Sequence, residues 1–233
     1  MATRLFGLIA AAGSGARFGG DTPKQYADIG GRPLLWHAAN ALLADARIEM
    51  VFVSLGPDDA RFKSCDWSAF GARLAPLYCG GATRKESVLN GLIAASSAID
   101  LNDWVLVHDA ARPCLAKADL ARLIDTLIND EVGGILAAPV ADTVKRGDAD
   151  GRIVATEPRE GLWLAQTPQM FRHGTLIRAI ERAGAITDEA GAVEALGLKP
   201  KLVAGAITNF KVTYPGDLAL AQLLLGTTAK GRQ

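Results

Sequence analysis

Short apolar runs at 5–10, 50–55, 74–79, 104–108, 134–140, 202–204 and 210–213 alternate with longer stretches whose apolar residues recur at helical spacing. The runs have strand length, and the stretches at 33–44, 85–98, 117–129, 175–183, 188–196 and 217–225 predict amphipathic helices. This alternation predicts an α/β fold, Rossmann-like, with a mostly parallel twisted sheet and helices on both faces. Such folds bind ligands at the C-terminal edge of their strands, so the polar residues after each run are the first candidates for chemistry.

One region breaks the rhythm. Segments 141–146 and 152–158 are polar and strand-like, and Gly147-Asp148-Ala149-Asp150-Gly151 joins them as a turn, which predicts a projecting β-hairpin arm at about 139–160. An isolated hairpin is marginally stable, so a second copy of the chain is expected to receive it. With no internal repeat or linker, residues 1–233 read as one domain. The last helical stretch lies close to the end of the sequence, where no fused second domain is expected.

Composition narrows the classes. A chain of 233 residues that is 49% hydrophobic can bury a sizeable core. Lys plus Arg and Asp plus Glu each total 25, so no global field draws the protein to nucleic acid or a membrane, and any anion site must come from local clustering. Cys65, Cys79 and Cys114 are scattered without a CxxC pair, which fits a reducing, cytoplasmic home. Residues 5–12 after Arg4 have the look of a short secretory core, but they lead into a glycine-rich turn and read as a buried strand. No other run approaches the roughly 18 apolar residues of a membrane span. His37, His108 and His173 share no metal-ligand spacing and are assigned to packing or surface roles; Trp36, Trp104 and Trp163 are assigned to the core.

Candidate chemistry starts at 10–20, where glycines follow the first predicted strand. A dinucleotide fingerprint starting at Gly13 would need glycine where Phe18 stands, and no Gly-Lys-Ser/Thr exists for a phosphate loop of the Walker type. What remains is a loop of main-chain N–H donors with Arg17 inside it and Lys24 close behind. Read alone, it fits a phosphate cradle with two cations that follow charge onto a breaking bond, or a tight turn with a solvated arginine. Other candidates are equally two-sided. Asp109 ends an apolar strand and either faces a ligand or caps a turn, and Thr187 either touches substrate or caps the helix at 188–196. Arg84 and Lys85 open a helix, where cations oppose the helix dipole, so an anion is expected beside them.

Later segments add specificity. Pro23-Lys24-Gln25-Tyr26, Gly80-Gly81-Ala82-Thr83-Arg84-Lys85-Glu86-Ser87-Val88 and His108-Asp109-Ala110-Ala111-Arg112-Pro113 follow in order. Ala138-Pro139-Val140-Ala141-Asp142-Thr143-Val144-Lys145, Gly161-Leu162-Trp163, Gln166-Thr167-Pro168-Gln169, Ile186-Thr187-Asp188-Glu189-Ala190 and Asn209-Phe210-Lys211-Val212-Thr213 complete the series. Together they resemble the 2-C-methyl-D-erythritol 4-phosphate cytidylyltransferase family over almost the whole chain. Ala10, Ser14-Gly15-Ala16 and Phe210 depart from the family pattern without removing a functional side chain.

The resemblance implies a fold of the nucleotide-diphospho-sugar transferase type and transfer of CMP from CTP to 2-C-methyl-D-erythritol 4-phosphate. It implies that Ala11, Ala12, Gly13, Ser14 and Gly15 wrap the triphosphate, with Arg17 and Lys24 as the catalytic cations. Gly81, Arg84, Ser87, Ala110 and Ala111 would surround base and ribose. Asp109, Thr143, Arg159, Thr167, Thr187 and Lys211 would hold the acceptor, with Thr143 and Arg159 carried by the arm into the neighbouring subunit of a homodimer. Mg²⁺ would be bound mainly through CTP phosphates and water, with Asp109 as a candidate to hold the metal or its water shell. A cytidylyltransferase for another alditol phosphate, such as ribitol 5-phosphate, shares several of these segments and is the alternative reading.

Overall fold

The computed structural model describes residues 3–13 and 22–230, with side chains described through 226. Its main sheet has seven strands in the order β11-β7-β10-β6-β1-β4-β5: β1 (Leu5–Ala10), β4 (Ile48–Ser54), β5 (Leu74–Leu77), β6 (Trp104–Asp109), β7 (Gly133–Pro139), β10 (Trp163–Arg172) and β11 (Lys201–Ala204). Pairings β1–β4, β1–β6, β4–β5 and β7–β11 are parallel, while β10 runs antiparallel to both of its neighbours. A two-residue pair, β2 (Asp28–Ile29) and β3 (Arg32–Pro33), follows the glycine-rich segment.

Side chains alternate along the strands and divide the core in two. Leu5 and Ile9 of β1 face α1 (Leu34–Leu43) and α3 (Lys117–Leu127), whereas Phe6 and Leu8 face α2 (Arg84–Ala94), α4 (His173–Arg182) and α5 (Glu189–Glu194). Both faces are therefore covered, as the apolar runs require. Gly7 leaves room for its neighbours on that face, since a Cβ there would lie 2.8 Å from Val51 Cγ2 of β4 and 3.1 Å from Leu42 Cδ1 of α1. The last helix, α6 (Pro215–Lys230), contributes Ala221 to a third cluster with Ile29, Leu34, Ala111 and Val212.

All the helical stretches form helices, with ends displaced by a few residues. Two expectations fail. Segment 210–213 is not a strand: Val212 N–H donates to Ala111 O at 2.8 Å, but Thr213 N–H turns to the Asp217 carboxylate at 2.7 Å, so no ladder develops. In its place the sheet takes in β10, which the proline at 168 hid in the sequence. Proline has no N–H to give a ladder, and the β10–β7 pairing shifts register between Ala165 and Gln169 to pass it. Trp163, expected in the core, starts β10 beyond the helices and is about one-third exposed.

The hairpin forms as β8 (Val144–Gly147) and β9 (Ile153–Glu157), a two-stranded sheet separate from the main one and largely exposed. Asp148 builds its turn, with Oδ1 accepting from Asp150 N–H and Arg152 N–H at 3.0 and 2.8 Å, while Gly151 adopts φ +76°. No helix among the described residues is long and apolar enough to cross a membrane.

Candidate active site

The C-terminal ends of β1 and β6 open into a cleft of about 380 Å³, lined among others by Ala11, Gly13, Lys24, Gly81, Asp109 and Lys211. Its entrance is braced by short polar contacts. Buried Gln25 donates from Nε2 to Ala11 O at 2.8 Å, which ties the exit of the glycine-rich segment to its entry. Lys24 Nζ donates to Val212 O at 2.9 Å, and Tyr26 Oη donates to Asp59 Oδ2 at 2.7 Å. Opposite, Thr83 caps α2 in a reciprocal capping box with Glu86, and Gly81 approaches so closely that a Cβ would stand 2.4 Å from Glu86 Cβ.

Asp109 is the electrostatic centre. Its Oδ1 accepts from Arg84 Nε at 3.0 Å, its Oδ2 lies 2.8 Å from Lys211 Nζ, and Arg112 Nε stands 3.7 Å away. Burial alone would raise this carboxyl, but Arg84 and Lys211 outweigh burial and hold it well below the usual carboxylate range. Arg84 is gripped from its other side by Glu189, whose oxygens accept from Nη1 and Nη2 at 2.6 and 3.0 Å. The anion expected beside the start of α2 is thus the protein's own. Lys85 turns away, to Ala183 O and Gly184 O at 2.5 and 3.1 Å.

The cleft gathers Ala11, Ala12, Gly13, Lys24, Gly81, Arg84, Ser87, Asp109, Ala110, Ala111 and Lys211 from five separate parts of the chain. Ser14, Gly15 and Arg17 lie outside the described residues. Thr167 is buried beneath Asp109, accepting the Asp109 N–H at 3.0 Å. Thr143 and Arg159 are exposed at the root of the hairpin, where Arg159 Nη1 donates to Ala141 O. Thr187 does not cap α5. That place is taken by Asp188, whose carboxylate accepts Gly191 N–H at 3.0 Å because it stands one residue nearer the helix; Thr187 is exposed.

Three contributors escaped the sequence reading. Glu189 and Gln25 stand inside segments that carry the family resemblance, but no sequence signal assigned either a role in the site, and both proved buried. Arg112 follows Asp109 by three residues, a spacing that could have suggested the pair; it donates to Asn209 O at 2.6 Å and Ala165 O at 3.3 Å.

No group of three or more His, Cys, Asp or Glu able to hold a metal occurs among the described residues. Both Asp109 oxygens already face cations, so this donor set does not suit direct ligation of a hard divalent ion and suits one carried in by a triphosphate.

A mostly parallel sheet with a cleft at its C-terminal edge, lined by the start of the glycine-rich segment and by Lys24 and Lys211, is the architecture of a nucleotidyltransferase. The family model of IspD, 2-C-methyl-D-erythritol 4-phosphate cytidylyltransferase, matches residues 5–227, and the chain belongs to this family. It is 60% identical to the enzyme of that name from Dechloromonas aromatica, over 95% of this chain and 97% of the relative. It is 55% identical to the one from Laribacter hongkongensis, over 99% and 100%. A crystal structure of 4-diphosphocytidyl-2C-methyl-D-erythritol synthase superposes with a TM-score of 0.86 at 39% identity, covering 97% of this chain and all of that one. The Francisella tularensis enzyme gives 0.80 at 31% identity, over 95% and 100%.

Proposed function

We infer that the chain transfers CMP from CTP to 2-C-methyl-D-erythritol 4-phosphate, forming 4-diphosphocytidyl-2-C-methyl-D-erythritol and pyrophosphate in isoprenoid precursor biosynthesis. The family match across residues 5–227 carries this reading. The cleft supports it by placing Lys24, Lys211 and Asp109 at one sheet edge.

The reaction needs no general base. A phosphate monoester has its second pKa near ~6, so the attacking oxygen is already anionic at neutral pH. It forms a bond to the α-phosphorus of CTP as the bond to the β-phosphate oxygen breaks, and pyrophosphate leaves with that electron pair. The obstacle is repulsion between polyanions, which positioned cations relieve. Lys24 takes the triphosphate side with Arg17, beside the main chain of Ala11, Ala12, Gly13, Ser14 and Gly15. Gly81, Ser87, Ala110 and Ala111 receive base and ribose, and Arg84 holds the wall between them and Asp109.

On the acceptor side, Lys211 binds the phosphate and Asp109 the hydroxyls, with Thr187 at the rim. Thr143 and Arg159 come from the arm of a second copy, which completes the site in a homodimer working in the cytoplasm. The arm's exposed Ile153 (69%) and Val154 (62%) supply an apolar surface for that contact. Mg²⁺, held mainly through the CTP phosphates and water, would neutralise charge there, and Asp109 would be the protein group able to hold its water shell.

The reaction is tested with acceptor labelled with ¹⁸O in its phosphate and phosphorus NMR of the product. Label in the bridging oxygen of a new diphosphate supports attack by the acceptor phosphate. Label appearing in pyrophosphate, or no coupled phosphorus pair, contradicts it.

A further inference from the structure

His108 and Thr167 lie buried under the cleft floor, and hydrogen-bond valence assigns their protons. His108 Nε2 is 3.0 Å from Arg112 O, and a carbonyl only accepts, so Nε2 carries the proton. In the neutral ring Nδ1 is then an acceptor, and Thr167 Oγ1, 2.9 Å away, donates to it. Burial pushes the ring's pKa down to about 4, so it is neutral at working pH and this tautomer holds. Thr167 Oγ1 also accepts the Asp109 N–H at 3.0 Å. The hydroxyl proton of Thr167 therefore points inward, away from any ligand.

The rest of Thr167 is equally committed. Its carbonyl accepts from Asn209 Nδ2 at 2.8 Å, two residues before Lys211. Pairing of β10 with β6 reaches only Gln169 opposite Val107, because Pro168 has no N–H, and the Thr167 hydroxyl supplies the acceptor that Asp109 N–H would otherwise lack. One residue thus anchors both segments whose side chains meet as the Asp109–Lys211 pair at 2.8 Å.

We propose that His108 is a positioning residue: by orienting the Thr167 hydroxyl it fixes the main chain at Asp109, and with it the Asp109–Lys211 pair presented to the acceptor. This rests on the reading above that Asp109 and Lys211 hold the acceptor phosphate alcohol. It also gives Thr167 a bracing role in place of the direct acceptor contact that resemblance implies.

The test is steady-state kinetics in both substrates, with thermal midpoints, on the full-length variants His108→Phe, His108→Gln, Thr167→Val, Thr167→Ser, Asp109→Asn and the double variant His108→Phe/Thr167→Val. His108→Phe is expected to reduce kcat/KM for the acceptor by about tenfold or more while leaving the KM for CTP unchanged, since small misplacements at a reacting centre carry penalties of this order. His108→Gln, with one donor and one acceptor, recovers part of the loss, and Thr167→Ser loses less than Thr167→Val. The double variant is no worse than Thr167→Val, because both changes cut one path. Normal acceptor kinetics in His108→Phe, or losses that multiply in the double variant, overturn the proposal. If His108→Phe does not fold, equal acceptor kinetics in Thr167→Val and the wild type overturn it instead. Asp109→Asn separates the two levels: unchanged acceptor kinetics there sink the site reading, whereas an impaired Asp109→Asn beside an intact Thr167→Val sinks only the positioning role.

Discussion

Lys211 Nζ stands 2.8 Å from Asp109 Oδ2, joining a segment without regular structure to the last residue of β6. The pair is paid for by Arg84, which neutralises the other Asp109 oxygen and is itself held by Glu189. Cleft chemistry therefore depends on a chain of four charges drawn from distant parts of the sequence.

The first consequence concerns Asp109→Asn. Removing the charge should reduce kcat/KM for the acceptor by about a hundredfold, the usual scale for one preorganised charged contact. The KM for CTP should move far less. A larger effect on CTP than on the acceptor, read from initial rates, would reverse the assignment.

Acidification gives a second. The Asp109 pKa is depressed, so its stabilisation is complete above the unfolded value of about 3.9 and fades as pH falls through the folded value. His108 acts earlier, because its folded pKa of about 4 lies below its ordinary value and the unfolded chain binds the extra proton first. Stability should thus fall by about 3 kcal/mol between roughly pH 6.5 and 4 on account of this ring. Denaturant titrations across that window should show a slope that is clearly smaller in His108→Gln, with a remainder from His37, whose pKa burial also lowers; an unchanged slope would contradict the assignment.

Much of this was legible in the sequence, and the failures have physical causes. Apolar runs and helical spacing marked both core layers, because burial on two faces demands that pattern. Strand β10 was hidden by Pro168, whose effect on pairing is absorbed by a register shift that only the neighbouring strands reveal. The run at 210–213 has strand composition, but Val212 is apolar because it packs with Ile29, Leu34 and Ala111. Cleft residues on strand ends could be named from their order. Glu189 could not, since its partner Arg84 lies 105 positions away and nothing local marks the contact.

A third prediction follows from the cleft wall. A Cβ at Gly80 would fall 2.2 Å from Ala12 Cβ and 2.8 Å from Leu55 O, so neither neighbour can move without shifting main chain. Gly80→Ala should cost about 1–3 kcal/mol of stability by overpacking and raise the KM for CTP. Wild-type stability together with a wild-type KM for CTP would show that the wall yields without consequence.

The arm supplies a fourth. Ile153→Asp with Val154→Asp places charge on its most exposed apolar residues. Sedimentation should show a shift from dimer to monomer, and acceptor kinetics should decline with it. A monomeric wild type with full activity would remove the shared site.

Pyrophosphate release, measured with CTP against 2-C-methyl-D-erythritol 4-phosphate, ribitol 5-phosphate and glucose 1-phosphate, and with each other nucleoside triphosphate against the first acceptor, decides which substrates the cleft uses. Rapid release is expected only for CTP with 2-C-methyl-D-erythritol 4-phosphate, and near-complete loss of it in Lys24→Ala. No release with that pair, or faster release with ribitol 5-phosphate, would contradict it.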